Sequence, residues 1–372
     1  MPVARQIDVV VIGAGAAGLA TSRELSRMQL DHVVLERGQP GDSWRRAYDS
    51  LTLHTGRHMS SLPGLPFDRG TPLFPSRKEL LAYLERYASR FRLPVLSGVN
   101  VTTIHRRSER WQIETSAGAF ESQALVVATG IMSNPFVPQL PGQSAFRGRI
   151  RHSVAYRDPA ECAGRRVLVV GAGNSGGEIA SELGRAGIDT TIAVRSGAHI
   201  VPLRLLGIPI QYVSCAVLKL PRQVQELITA AMSGVTDIVQ GPPVIPRGQH
   251  SPLDAIPMIG FHLSDAVRAG QVRVRRGIRQ VTADGVVFED GAEERFEEII
   301  LATGFRAAIG FLSSLVTTDE KGFASRRDRV TSADQPNLFF VGHNYDSTGA
   351  LFNIRRDATL CAKAVQTALA RT

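Results

Sequence analysis

Hydrophobic residues along this chain come in two rhythms, and their order sets the expected architecture. Val9–Ile12 is an unbroken apolar run, the mark of a parallel strand covered on both faces. It leads into Gly13, Gly15 and Gly18 and then a helix-spaced stretch, after which a second run, His32–Leu35, ends at Glu36. The same unit returns later: Val167–Val170, then Gly171, Gly173 and Gly176, a helical stretch, and Thr191–Val194 running into Arg195 and Ser196. Between and after these units, two buried-type runs end alike, at Ala128-Thr129-Gly130 and at Ala302-Thr303-Gly304. Near the end, Leu338–Val341 reads as a strand, Gly342 as a turn, Asn344–Thr348 as a polar loop without an assigned role, and the rest as a helix.

Each glycine set spells G-x-G-x-x-G, and each position has its own physical demand. The first glycine turns the chain, the second lets a pyrophosphate approach the backbone, and the third lets helix and strand pack closely. The amides that open the following helix, at Ala16 and Ala17 in the first unit and at Asn174 and Ser175 in the second, then face the phosphates. Glu36 suits the hydroxyls of an adenosine ribose, so the first site fits FAD or NAD. In the second unit the acid is replaced by Arg195, followed by Ser196. A guanidinium accepts a ribose 2′-phosphate bidentately, which fits NADPH; a surface arginine without a ligand is the alternative. The order glycine turn, Ala-Thr-Gly, glycine turn, Ala-Thr-Gly predicts an α/β fold of two Rossmann-like dinucleotide-binding domains, the NADPH domain inserted into the FAD domain. The expected spans are 1–145 and 291–372 for the FAD domain and 146–290 for the NADPH domain, with a substrate-lid segment at 200–260. Pro202, Pro209, Pro242, Pro243, Pro246, Pro252 and Pro257 are expected to break any long helix in that segment, and Leu205, Leu206, Ile208 and Ile210 read as core, as a roof over the active site or as a contact for a membrane-associated substrate.

Composition narrows the setting. With 372 residues, 43% apolar and 21% charged, the chain has the make-up of an ordinary soluble protein of two domains. A net charge of +9 admits nucleic acid, an anionic membrane or phosphate-rich cofactors. Arginine is scattered without long basic blocks, which argues against nucleic acid. Cys162, Cys215 and Cys361 form no Cys-x-x-Cys, so neither a redox dithiol nor a thiolate metal site is expected, and a reducing, cytoplasmic compartment is. Val9–Ala20 imitates a secretory signal but carries three turn glycines, and the run Leu205–Leu218 is too short and too broken to cross a bilayer. Nothing in the pattern sets an oligomeric state.

Beyond these signals, the chain resembles the flavin-containing monooxygenases, group B flavoprotein enzymes, and most closely their YUCCA-type members. The resemblance rests on GDSWRRAYDSLTLHT (Gly41, Ser43, Trp44 and the triplet Leu53-His54-Thr55), GAGNSGGEIA, HIVPLRLLG, VRVRRGI and LATGFR, all in family order. Phe146, Gly148, His152 and Tyr156 resemble the fingerprint of NADPH-dependent flavin monooxygenases. Type I Baeyer–Villiger enzymes carry Trp where this chain has Tyr156. As a linker between nucleotide domains the stretch would control how nicotinamide meets flavin; the other reading makes Phe146 and Tyr156 core and His152 a loop tie.

The resemblance implies FAD and NADPH as cofactors, O2 and a small molecule as substrates, and a C4a-(hydro)peroxyflavin that oxygenates sulfur or nitrogen or attacks a carbonyl such as that of a 2-oxo acid. It also implies that Arg37, Ser43, Trp44 and Val101 line the FAD, with a flavin-side strand through Leu53–Thr55. His54 would tune the adduct, or would satisfy only local backbone. Gly342 and the helix opening near Leu351 would lie beside the flavin, where helix amides favour negative charge on the reduced ring. The competing activity is an NADPH-dependent flavoprotein reductase passing electrons to a quinone or protein acceptor; a disulfide reductase is excluded by the missing dithiol. A third reading is a redox-sensing flavoprotein without catalysis.

Overall fold

The first strand, β1 (Arg5–Ile12), alternates between two cores, because its neighbours cover both of its faces. Val9 and Val11 join one cluster, whereas Val10 and Ile12 join the other. A computed structural model describes residues 4–248, 251, 253 and 256–371. Helix α1 (Ala16–Arg27) follows β1, and β2 (His32–Glu36) pairs parallel to it. Helix α2 (Arg77–Arg90) opens with a reciprocal cap: Ser76 Oγ accepts from the Glu79 amide at 3.3 Å and Glu79 Oε2 accepts from the Ser76 amide at 2.7 Å. Strands β3 (Val95–Ser97), β4 (Val101–Arg107), β5 (Arg110–Thr115) and β6 (Gly118–Val127) extend the sheet in the order β3-β2-β1-β6-β5-β4. The β4–β5–β6 part is an antiparallel meander beside a parallel core.

A second sheet follows in the chain. Strands β7 (Arg149–His152), β8 (Val167–Val170), β9 (Thr190–Ala193), β10 (Val272–Arg275) and β11 (Glu298–Leu301) run in the order β10-β9-β8-β11-β7. All four pairings are parallel, as expected for the apolar runs of β8 and β11 at the centre of the sheet. Helix α3 (Asn174–Arg185) links β8 to β9. The chain then re-enters the first sheet through β12 (Leu338–Phe340), which lies parallel to β6, and ends in α5 (Ala350–Leu369), after α4 (Arg222–Gln240) in the intervening segment.

Two compact units result: residues 1–46, 51–134 and 305–372 in one, and 47–50 with 135–304 in the other. The division differs from the expected 145/146 and 290/291. At the second crossing the reason is plain, because β11 is hydrogen-bonded between β8 and β7 and so holds residues up to Gly304 in the second unit. At the first, the Phe136 amide donates to the Gly304 carbonyl at 2.9 Å, tying the Pro-rich stretch to the same unit.

Three local expectations need correction. The segment 200–260 does contain a long helix: α4 has 19 residues, because the prolines stand on either side of it and none within. Pro252 lies outside the described residues. The apolar stripe there is not core throughout: Leu206 and Ile208, at the tip of a hairpin joining Arg204–Leu205 to Ile208–Pro209, are 96% and 53% exposed, while Ile210 is buried. Finally, Leu53–Thr55 is not a strand. Only a bridge between Thr52 and Ser76 forms, with the Leu53 amide donating to the Pro75 carbonyl at 2.8 Å, since the partner chain turns into α2 straight afterwards.

Candidate functional site

In the first unit, the turn after β1 is built around contacts that only glycine permits. A Cβ at Gly13, whose φ is +99°, would lie 2.7 Å from the Ala128 carbonyl oxygen, and one at Gly18 only 1.8 Å from the Gly13 carbonyl oxygen. Gly18 is therefore a packing residue between helix and strand and does not line the cleft. At Gly15 a Cβ would meet nothing within 4 Å: that face of the turn is open, at the N-terminus of α1.

The opening belongs to a cleft of about 460 Å³. Gly13, Gly15, Ala16 and Ala17 form one wall of it, and Glu36, Arg37, Ser43 and Trp44 a second. Val101 contributes from β4, Ala128, Thr129 and Gly130 from the end of β6, and Gly342 and Leu351 from the return of the chain. These are residues the sequence assigned to FAD, drawn together from positions 13 to 351. His54 is half-buried and is not among the lining residues.

Glu36 does more in this cleft than the sequence implied. Its Oε2 accepts from the Ala14 amide at 2.7 Å and its Oε1 from the Gly38 amide at 2.8 Å, so the carboxylate clamps the glycine turn to the end of β2. A carboxylate offers about four lone-pair sites, so each oxygen keeps acceptor capacity for a ribose hydroxyl. Thr129 is the complementary feature: it lines the cleft, and its buried Oγ1 has no hydrogen-bond partner among the described residues. A polar atom in that state suits a cleft whose occupant brings its own donors and acceptors. An open glycine face, helix amides, a ribose acceptor and an orphaned hydroxyl together fit an adenine dinucleotide such as FAD.

Several lining residues carried no sequence signal. Val99, Asn100, Met132, Ser133, Asn134, Phe311 and Tyr345 enter only because strand ends and loops converge there. Asn134 is fixed by donating to the Ala307 carbonyl at 2.9 Å, and Tyr345 comes from the polar loop to which no role was assigned. His343, the residue after Gly342, turns into the core between the rings of Phe323 and Phe340, with centroids at 5.4 and 5.0 Å. Burial, and the positive charge of Arg326 next to it, hold its pKa down at about 3, so the imidazole is neutral.

The second unit repeats the turn almost atom for atom. Gly171, at φ +107°, would place a Cβ 2.6 Å from the Ala302 carbonyl oxygen, Gly176 would place one 1.9 Å from the Gly171 carbonyl oxygen, and Gly173 faces open space. Each Ala-Thr-Gly turn thus backs onto the first glycine of its own unit. Thr303 Oγ1 donates to the Phe136 carbonyl at 2.5 Å, and the Gly304 carbonyl faces His152 Nε2 at 3.0 Å. Arg195 and Ser196 follow β9 and are exposed, and no ion pair of Arg195 occurs among the described residues. That leaves its guanidinium available for a phosphate. Ser175 is half-buried just inside α3. The Asn174 side chain donates through Nδ2 to the Pro257 carbonyl at 3.2 Å and accepts at Oδ1 from the Ile259 amide at 2.8 Å, pinning 257–259 beside the turn.

The residues of the Phe146–Tyr156 fingerprint lie inside this unit. A Cβ at Gly148 would lie 2.5 Å from the Glu297 carbonyl oxygen and 2.7 Å from the Phe146 ring, so the glycine permits a close approach of chain to ring. Tyr156 is fully buried and donates to Glu182 Oε2 of α3 at 3.0 Å; burial first, and then the Glu182 charge, push its pKa well up. Tyr48 makes the matching bond to Glu178 Oε2 at 2.5 Å. His152, tied to the Gly304 carbonyl, has its pKa lowered by burial.

Residues 10–200 match the family described as pyridine nucleotide-disulphide oxidoreductase. The chain is 35% identical over 313 residues to a probable indole-3-pyruvate monooxygenase, YUCCA1, of Arabidopsis thaliana, across 81% of this chain and 76% of that protein. A flavin-containing monooxygenase from Stenotrophomonas maltophilia superposes with a TM-score of 0.78 at 25% identity, covering 98% of this chain and 99% of that one. A cyclohexanone monooxygenase from Rhodococcus sp. Phi1 bound to NADP+ shares the fold, with a TM-score of 0.74 at 21% identity over 99% of this chain and 85% of that one. Among the described residues, no helix is long and apolar enough to cross a membrane.

Proposed function

This chain belongs to the NADPH-dependent flavin monooxygenases, which use FAD and NADPH, and from that premise we propose that its substrate is a small 2-oxo acid. The reaction would be an oxidative decarboxylation: the 2-oxo acid, O2, NADPH and a proton give the carboxylic acid one carbon shorter, CO2, NADP+ and water. The reading of the substrate is supported by the 35% identical relative whose name specifies indole-3-pyruvate. The observation that carries the flavin and nicotinamide parts is the duplicated glycine turn, one copy closed by Glu36 and the other followed by Arg195.

When bound, FAD would supply the hydride-accepting and oxygen-activating chemistry. The chain's own residues bind and orient. Gly13 and Gly15 admit the pyrophosphate to the amides of α1, Glu36 accepts from the adenosine ribose, and the Thr129 hydroxyl, unpartnered among the described residues, bonds the cofactor. Trp44, Arg37 and Ser43 flank the cofactor, with Val101 and Leu351 at other walls of the cleft. Arg195 holds the 2′-phosphate of NADPH, and a charge-assisted pair of this kind separates NADPH from NADH. Substrate choice is assigned to residues 200–260 in a reducing, cytoplasmic setting. His54 is assigned the tuning of oxygen transfer, so His54→Ala should leave reduction by NADPH intact while diverting electrons to H2O2.

The test is a coupling assay. Purified protein with FAD is supplied with NADPH and either indole-3-pyruvate, a thioether, an amine or a cyclic ketone, and NADPH loss, product and H2O2 are measured together. Stimulated NADPH loss matched by the one-carbon-shorter acid supports the proposal. Product from another substrate instead moves the assignment to that class. H2O2 equal to NADPH under every condition, with rapid quinone reduction, would replace oxygenation by the reductase activity.

A further inference from the structure

Outside the flavin cleft, helices α1 and α5 face one another across a second cavity of about 560 Å³. Its α5 wall is the row Phe352, Arg355, Arg356, Thr359 and Leu360, spaced i, i+3, i+4, i+7 and i+8, so that one helical face carries two cations between two apolar side chains. The α1 wall supplies Arg23, Glu24 and Arg27. Glu24 is almost fully buried and is shared by Arg23 and Arg27, the latter at 3.1 Å. Arg23 also lies over the Phe91 ring at 5.3 Å and against Gly64, where a Cβ would come within 2.4 Å of its guanidinium. The lining therefore holds four guanidinium groups and a single carboxylate. Arg355 and Arg356 are exposed, and neither has an ion pair among the described residues. A smaller cavity of about 240 Å³ shares Gly64 and Arg355 with it and is lined by the apolar Leu62, Leu65, Pro66 and Phe67 together with Arg57, His58 and Ser61.

Cations beside an apolar recess are the two halves of a receptor for an amphipathic anion. Arginine forks pair with phosphate or carboxylate oxygens, and the recess takes the hydrocarbon part. We propose that this groove is a binding site for an organic anion with an apolar body, a monoalkyl phosphate or carboxylate, bridging Arg27 of α1 and Arg355 and Arg356 of α5. The same two helices begin in the flavin cleft, through Ala16 and Ala17 on α1 and Leu351 and Ile354 on α5. A ligand spanning them, about one turn further on along α5 and about three along α1, restrains both helices, so anion and FAD strengthen each other's binding, reciprocally by linkage.

The probe is hexyl phosphate, compared with inorganic phosphate, hexan-1-ol and vesicles of phosphatidylglycerol with phosphatidylcholine. Binding is followed by thermal shift of the apo-protein and by FAD affinity. Hexyl phosphate should bind at least about tenfold more tightly than inorganic phosphate, from the burial of its methylenes, and should tighten FAD; hexan-1-ol should do neither. The pair Arg355→Glu with Arg356→Glu should remove the response, and because both side chains are exposed the variant should keep the parent Tm without ligand. Leu360→Ser should weaken hexyl phosphate but not inorganic phosphate. A hexyl phosphate response unchanged in the double variant overturns the site, as does equal affinity for inorganic phosphate. Binding to anionic vesicles without binding of monomeric hexyl phosphate would reassign the groove to a lipid surface.

Discussion

Replacing Glu36 by glutamine separates its two duties. The carboxylate accepts from the Ala14 and Gly38 amides at 2.7 and 2.8 Å. Bonds to a charged acceptor contribute about 1.5–3 kcal/mol each, and a neutral one about 1 kcal/mol. The substituted side chain would keep one acceptor oxygen and turn a donor towards the other amide. The expected loss is the difference between two charged bonds and one neutral bond, about 2–5 kcal/mol. A domain of this size shifts by roughly 2–4 °C per kcal/mol, so the apo-protein should melt at least about 4 °C lower. The ribose reading adds a separate loss: FAD affinity should fall by about tenfold or more beyond what the stability change explains, from one charge-assisted bond. Scanning calorimetry of apo-protein and FAD titration by flavin fluorescence read the two quantities independently. Lower melting with unaltered FAD affinity would leave Glu36 as a clamp only and refute its role at the ribose. Unaltered melting would refute the clamp.

Gly176→Ala drives a Cβ to within 1.9 Å of the Gly171 carbonyl oxygen, so NADPH-dependent flavin reduction should collapse while FAD content stays at the parent level; loss of FAD would disprove the separation of the two turns. Arg195→Gln should raise KM for NADPH by about tenfold or more and leave NADH turnover unchanged, read from steady-state rates with both coenzymes. Equal effects on both would remove the 2′-phosphate assignment. His343 is held near pKa 3 in the folded chain, below the ordinary value of 6.5, so between these limits the unfolded chain binds more protons. The stability this group contributes at neutral pH should therefore drain as pH falls through 6.5 towards 3, by at most about 1.4 kcal/mol per pH unit. His343→Leu should flatten that part of the denaturation profile; a parallel profile would show that another group is responsible.

Much of the fold was readable because its requirements are local. The unbroken apolar runs at Val9–Ile12, Val167–Val170 and Ile299–Leu301, and the glycine spacings, each state a need met within a few residues. The lining of the flavin cleft by Trp44, Val101 and Leu351 was reachable only through family resemblance, since nothing in their own neighbourhoods marks them. Asn174 illustrates the converse. Its place at the start of α3 was legible, yet its side chain is spent on 257–259, a segment about 83 residues away that no spacing rule connects to it. The proline count in 200–260 misled because the prolines' positions, not their number, decide where a helix fits.

What the sequence settled by itself is the pair of glycine turns, with their acid in one copy and cation in the other, because a missing Cβ and a terminal charge act on atoms next to them in the chain. What only the folded molecule decided is which distant groups share a surface. Arg23 and Arg27 line one cavity with Arg355 and Arg356 because α1 and α5 pack together, and the buried Thr129 hydroxyl has no partner among the described residues. Such juxtapositions are set by packing across more than three hundred residues, and no local pattern encodes them.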